Sequence, residues 1–177
     1  MGEPSFLSLK HSVCGLQDVV RYGHVSEDDT FAGLSYKALQ CDPAIKDHLD
    51  DRFARVLRNG SPQYMMANAD ILPHVDSGIK TAINIYISAG GYTTSYHKPK
   101  AGAKPFRLAN QTNGGCYNFE DVETLDSFTA VDGDVYVLDV SRLHSVQGGQ
   151  RNLREVITIG LSISFEKVTS KLLAPLL

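Results

Sequence analysis

Four side chains in this sequence are of the types that coordinate metals and grip carboxylates, and they fall in an order that chemistry can use. His74-Val75-Asp76 is followed 70 residues after its histidine by His144, and Arg154 lies ten residues beyond that. On an extended strand residues i and i+2 point to one side, so His74 and Asp76 can offer an imidazole and a carboxylate to the same ion. Two imidazoles and one carboxylate on one face of an ion leave the other face open, the arrangement of non-haem Fe(II) sites that must also take a cosubstrate and O2. The charges fit as well. One aspartate and a bidentate 2-oxo dicarboxylate leave an Fe(II) cluster at −1, and one arginine neutralises it. Arg154 suits that task because its planar fork holds a carboxylate at two points, which lysine cannot do.

Each of these signals is weak alone: an HxD triplet arises by chance, and an arginine opening a strand usually pairs with a surface acid. Their setting strengthens them. After residue 60 the apolar period is 2, in runs at 63–67, 71–76, 81–88, 92–97, 127–131, 134–140 and 154–165, each bounded by turn residues such as Ser77-Gly78, Gly90-Gly91 and Asp132-Gly133. Many short strands without intervening helices predict an antiparallel sandwich or barrel. His144 and Arg154 then fall on neighbouring strands, where side chains can converge. Before the strands, Asp42 and Pro43 open a helix at about 43–58, with Ile45, Leu49, Phe53, Val56 and Leu57 on one side and Asn59-Gly60 at its end. FLSLKHSV near the N-terminus reads as a further strand, and 26–38 as loop or a short helix.

At 177 residues the chain is long enough for one substantial core, and nothing in it resembles a linker or repeat. The expectation is a single domain over 1–177: an N-terminal supporting segment at 1–60, and a β core at 61–165 with a long loop at 92–126. That loop is basic first (His97, Lys98, Lys100, Lys104, Arg107) and acidic later (Glu120, Asp121, Glu123, Asp126), so its halves can pair across a hairpin. It is either a lid or a solvated connection. Seventeen Lys and Arg against 20 Asp and Glu give a net charge of −3, which supplies no global field for nucleic acid or an anionic membrane. No apolar run spans a bilayer and the start lacks a signal-peptide plan, so the cytoplasm is the default compartment. Cys14, Cys41 and Cys116 are odd in number and widely spaced, and read as small apolar residues.

LPHVDSG, GDVYVLDVSRLHSVQ and RNLREVITIGLS resemble the metal and cosubstrate segments of the Fe(II)- and 2-oxoglutarate-dependent dioxygenases, over roughly 62–165. The order HxD, His, then Arg is similar to the prolyl hydroxylase and aspartyl/asparaginyl β-hydroxylase branches. The resemblance implies a mainly-β, jelly-roll or cupin-like double-stranded β-helix with at least one supporting helix. It implies Fe(II) held by His74, Asp76 and His144, 2-oxoglutarate held by Arg154, and hydroxylation of a C–H bond in a peptidyl or small-molecule substrate with release of succinate and CO2. Two positions depart from the family. Val156 stands where a Ser or Thr often assists the arginine, and Met65 stands where prolyl hydroxylases place a tyrosine, with Tyr64 one residue out of phase. Asn84 and Tyr86, on one side of the next strand, can supply the missing contact or merely fill the barrel's polar rim.

The remaining candidates have plainer readings. His97 either lines the substrate mouth or is a surface histidine, the latter being the expectation; Arg151 competes with Arg154 but sits in a turn; His11, His24 and His48 have no partner pattern. Two rival functions stay open: a cupin-like Zn(II) or Mn(II) hydrolase or isomerase, and a β-helix binding domain without chemistry.

Overall fold

The computed structural model describes residues 4–9, 30–31, 34–35, 37–40, 62–107, 115–148 and 152–174. The helix expected at 43–58 lies outside these residues, as do Arg151, His11, His24, His48, Cys14 and Cys41.

Twelve described strands follow in chain order: β1 (Phe6–Ser8), β2 (Thr30–Phe31), β3 (Leu34–Ser35), β4 (Lys37–Gln40), β5 (Pro62–Ala67), β6 (Ile71–His74), β7 (Thr81–Ser88), β8 (Thr93–Pro99), β9 (Val122–Thr129), β10 (Val135–Asp139), β11 (His144–Gln147) and β12 (Arg154–Leu161). A helix, α1 (Phe165–Leu173), follows them. One sheet runs β1-β10-β7-β12-β5-β4 and the other β6-β11-β8-β9, while β2 and β3 form a small ribbon. Every pairing is antiparallel. From β5 to β12 the chain keeps crossing between the two large sheets, and this is the double-stranded β-helix.

Alternation along the strands explains how the sheets pack. Ile83 and Ile85 of β7, Val135 and Val137 of β10, and Ile157, Ile159 and Leu161 of β12 form one cluster with Phe165, Val168 and Leu172 of α1. The intervening residues Ala82, Tyr86, Tyr136, Leu138 and Val156 point the other way and meet Tyr96 of β8 and Phe128 of β9, so this second cluster lies between the sheets. Burying one of these isoleucines contributes about 1.5–3 kcal/mol.

The structure departs from expectation in four places. Strands β2 to β4 occupy part of 26–38 and its flank, where a loop or short helix was expected. The final strand stops at Leu161 rather than 165, because Phe165, Val168 and Leu172 recur at spacings of three and four and form a helix instead. Residues 144–147 form β11, a short strand absent from the periodic runs. The long loop shrinks, since β8 reaches Pro99 and β9 begins at Val122. The expected pairing of its charges is present in Lys98 and Glu123, whose Nζ and Oε2 are 3.1 Å apart. Both are more than half exposed, so the pair adds little stability. Further along, Phe106 and Cys116 bridge, and the Tyr117 amide donates to Pro73 O, tying this connection to the edge strand β6. No described helix is long and apolar enough to cross a membrane.

Candidate metal centre

Strand β11 lies between β6 and β8, and its first residue, His144, sits directly opposite His74, the last residue of β6. The two imidazole rings are 4.5 Å apart between centroids. Asp76 joins them from just beyond the strand: β6 ends at His74, and the Asp76 amide is held by donating to Val140 O at 3.1 Å. Strand alternation, expected to bring His74 and Asp76 together, is thus replaced by a pinned segment beyond the strand end. The three donor atoms all lie within 4.8 Å of one another, a grouping that could hold a metal ion.

The hydrogen bonds around the rings dictate which nitrogens face inward. His74 Nδ1 is 2.8 Å from Leu72 O and His144 Nδ1 is 2.9 Å from Arg142 O. A carbonyl can only accept, so each Nδ1 carries a proton, and it is Nε2 of each ring that faces the cluster. His74 Nε2 lies 3.2 Å from Asp76 Oδ1. Two acceptors this close need a cation between them, a proton or a metal. Burial, with the neighbouring His74 adding to it, pushes His144 down to about 4, so its lone pair is free at neutral pH. Burial raises the Asp76 carboxyl, but the hydrogen bond from His74 and the nearby imidazoles outweigh it and hold the group below its usual value. The donor set therefore suits a divalent cation.

Arg154 opens β12 on the six-stranded sheet and is 2% exposed. Its Nη2 donates to the Tyr86 hydroxyl at 3.4 Å, and its guanidinium carbon lies 5.2 Å from the Tyr86 ring centre. Its Nε has no hydrogen-bond partner, and no carboxylate among the described residues pairs with it. A buried guanidinium without a counter-ion costs several kcal/mol, so this site is built for an anion. Asn84 is on the same side of β7 as Tyr86, and its Oδ1 is likewise buried without a partner.

The two departures from the family pattern take a clear form. Val156 is fully buried between the sheets beside Tyr86, which occupies the place next to Arg154. Met65 packs in the same inner cluster, while Tyr64 points outward and bonds to Glu155. One expectation is overturned. His97 is not a surface residue: it is 7% exposed, with Nε2 2.7 Å from Ser145 Oγ and Nδ1 3.3 Å from Thr124 Oγ1. A register shift between Tyr96 and His97 turns its ring against β11, on the side away from His144. The residue that sequence reasoning missed is Tyr96, opposite His144 on β8 and 1% exposed. Its place in the alternation of 92–97 is the one signal that could have found it.

Fold and site together define a double-stranded β-helix carrying a cluster of two histidines and one carboxylate that could hold a metal. No protein-family model and no curated protein sequence matches the chain. Among solved structures, HygX from Streptomyces hygroscopicus, crystallised with nickel and 2-oxoglutarate bound, is similar at 14% identity and a TM-score of 0.52, over 88% of this chain and 82% of that one. A second HygX structure, with nickel, 2-oxoglutarate and hygromycin B, aligns over the same shares at 12% identity and a TM-score of 0.49. At such identity the first likeness speaks to the fold.

Proposed function

We propose that this chain is an Fe(II)- and 2-oxoglutarate-dependent oxygenase that hydroxylates a C–H bond of a peptidyl or small-molecule substrate. The observation that carries the reading is a pairing of unmet needs. A set of inward-facing ligand groups, His74, Asp76 and His144, calls for a cation, and on the facing sheet a buried Arg154, with no carboxylate partner among the described residues, calls for an anion. A metal ion with a 2-oxo dicarboxylate chelated to it meets both at once. A metal hydrolase accounts for the first need and leaves Arg154 without a task.

In this reading His74, Asp76 and His144 hold the metal, with the Leu72 and Arg142 carbonyls fixing the tautomer in which each ring can ligate. Bound there, the metal and 2-oxoglutarate supply the oxidising power for hydroxylation, with O2 consumed and succinate and CO2 released. Arg154 grips the distal carboxylate through its free Nε and an Nη. Tyr86 fixes the guanidinium by stacking and hydrogen bonding and adds a hydroxyl at the same end; Asn84 contributes its amide alongside. Val156 and Met65 keep the space between the sheets dry, which strengthens each of these contacts. HygX, holding nickel and 2-oxoglutarate in a similar fold, supports the reading.

Anaerobic addition of Fe(II) and 2-oxoglutarate tests it. A visible metal-to-ligand charge-transfer band is expected from the oxygenase. A metal hydrolase or a binding domain gives none, and the absence of a band in iron-loaded protein would overturn the proposal.

A further inference from the structure

The register of the six-stranded sheet lines up uncharged polar residues from successive strands in one row. Gln63 of β5 lies opposite Thr158 of β12, Thr158 opposite Asn84 of β7, Asn84 opposite Tyr136 of β10, and Tyr136 opposite Ser8 of β1. Residues paired in this way share one side of a sheet. Alternation from Met65, Val156, Tyr86 and Phe6, all members of the inner cluster, makes that side the inward one. The flanking inward rows are Met65, Val156 and Tyr86 on one side and Ala82, Leu138 and Phe6 on the other, apolar but for the Tyr86 hydroxyl that attends Arg154. Packing alone would have continued with apolar side chains.

Tyr136 and Ser8 hydrogen-bond to each other and close one end of the row. Gln63, Thr158 and Asn84 have no side-chain hydrogen-bond partner among the described residues, and Asn84 is 6% exposed, which shuts its Oδ1 off from water too. The cosubstrate cannot meet that need. A carboxylate accepts, so it can take the Asn84 Nδ2 but not the Oδ1. The donor must come from a second ligand. Thr158 is half-buried and Gln63 exposed, so the row opens from Asn84 towards β5.

Resting on the function proposed above, we propose that Gln63, Thr158 and Asn84 bind the substrate, and that this substrate is an uncharged polyhydroxy compound. A hydroxyl donates and accepts at one oxygen, so it can give to Asn84 Oδ1 while taking from Thr158 or from Gln63 Nε2. Strands lie about 4.8 Å apart, so the three side chains span roughly 10 Å, enough for several hydroxyls. An ammonium or carboxylate would find no counter-charge in the row and would lose its hydration uncompensated. A peptide main chain pairs with strand edges, and this row offers side chains only.

Calorimetric titration of the Ni(II)- and 2-oxoglutarate-loaded protein tests the assignment without turnover. The neutral probes are sorbitol, glucose, sucrose and myo-inositol; the charged ones are N-methylglucamine, a cationic relative of sorbitol, and glucuronate, an anionic relative of glucose. At least one neutral probe is expected to bind saturably, and more tightly than either charged one. Thr158→Val, which keeps the shape and removes the hydroxyl, should weaken that probe by about threefold to tenfold, the worth of a neutral hydrogen bond, and Gln63→Leu by a similar factor. Both variants are compared with the wild type at full loading with 2-oxoglutarate. If no neutral probe binds, if a charged probe binds better, or if both variants bind the polyol like the wild type, the assignment is wrong and the oxygenase reading stands. If the wild type holds Ni(II) and takes up no 2-oxoglutarate, the proposed function falls and this assignment with it.

Discussion

The two sides of the six-stranded sheet are made by the same strands and do different work. On β7 the outward Ile83 and Ile85 are fully buried against α1, while Asn84 between them and Tyr86 beside them turn inward. On β12, Ile157 and Ile159 face out and Arg154 and Val156 face in. The partnerless buried polar atoms of this sheet, Asn84 Oδ1 and Arg154 Nε, belong to inward side chains, and its outward side has none among the described residues. The outward side is satisfied by the protein itself. The inward side is left incomplete, which is how a fold marks the place where something else must bind.

Substitutions on the two sides should therefore divide cleanly between binding and stability. The largest effect is expected from His74→Ala or His144→Ala, each lowering metal affinity by at least about 100-fold, measured by Ni(II) titration. The metal-free variants should unfold at the same urea concentration as the wild type or a higher one, because a crowded acceptor has been removed. Arg154→Met comes next, weakening 2-oxoglutarate by roughly 100-fold with little change in metal affinity. On the outward side, Ile157→Ala should cost about 2–5 kcal/mol in urea denaturation, since it opens a cavity beneath α1, and should leave metal affinity as it was. An Ile157→Ala variant that loses metal as sharply as His74→Ala would break the division.

How much of this was legible in the sequence follows from the same division. Outward and inward residues alternate with period 2, and the β7 run was read with its observed ends, Thr81 and Ser88. The grouping of His74, Asp76 and His144 was legible because these residue types are rare in such an order. Spacing misplaced Arg154: it was expected on a strand neighbouring that of His144, but the chain crosses between the sheets after β11, so Arg154 opens β12 in the facing sheet. Strand β11 was not: HSVQ is short and half polar, and it is a strand because β6 and β8 flank it, a fact of tertiary pairing. Helix α1 was hidden because its first apolar residue continues the alternation of LSISF, and only Val168 and Leu172 reveal the change of period. The His97 misreading has a local cause. Alternation from Tyr96 would place it on an exposed outer surface, but the register shift beside it and its hydroxyl partners on β11 and β9 bury it.

His97 also supplies the smallest and most diagnostic effect, because it is a titratable group on the outward side of the four-stranded sheet. Its partners Ser145 Oγ and Thr124 Oγ1 are neutral, and burial holds its imidazole below the ordinary value of 6.5. The unfolded chain takes up a proton near pH 6.5, whereas the folded one does so only at lower pH. Folding stability from this residue is thus whole above pH 6.5 and declines as the pH falls toward the folded-state value. His144 acts in the same direction in metal-free protein, so the informative quantity is a difference between two proteins. His97→Gln retains a donor and an acceptor for the two hydroxyls and cannot titrate. Urea denaturation of the metal-free forms at several pH values from 7 to 5 should give a shallower decline for His97→Gln than for the wild type, with equal Ni(II) affinity at pH 7. Parallel declines would mean that acid sensitivity resides wholly in the inward cluster, and the outward side would then be electrostatically inert as well as chemically complete.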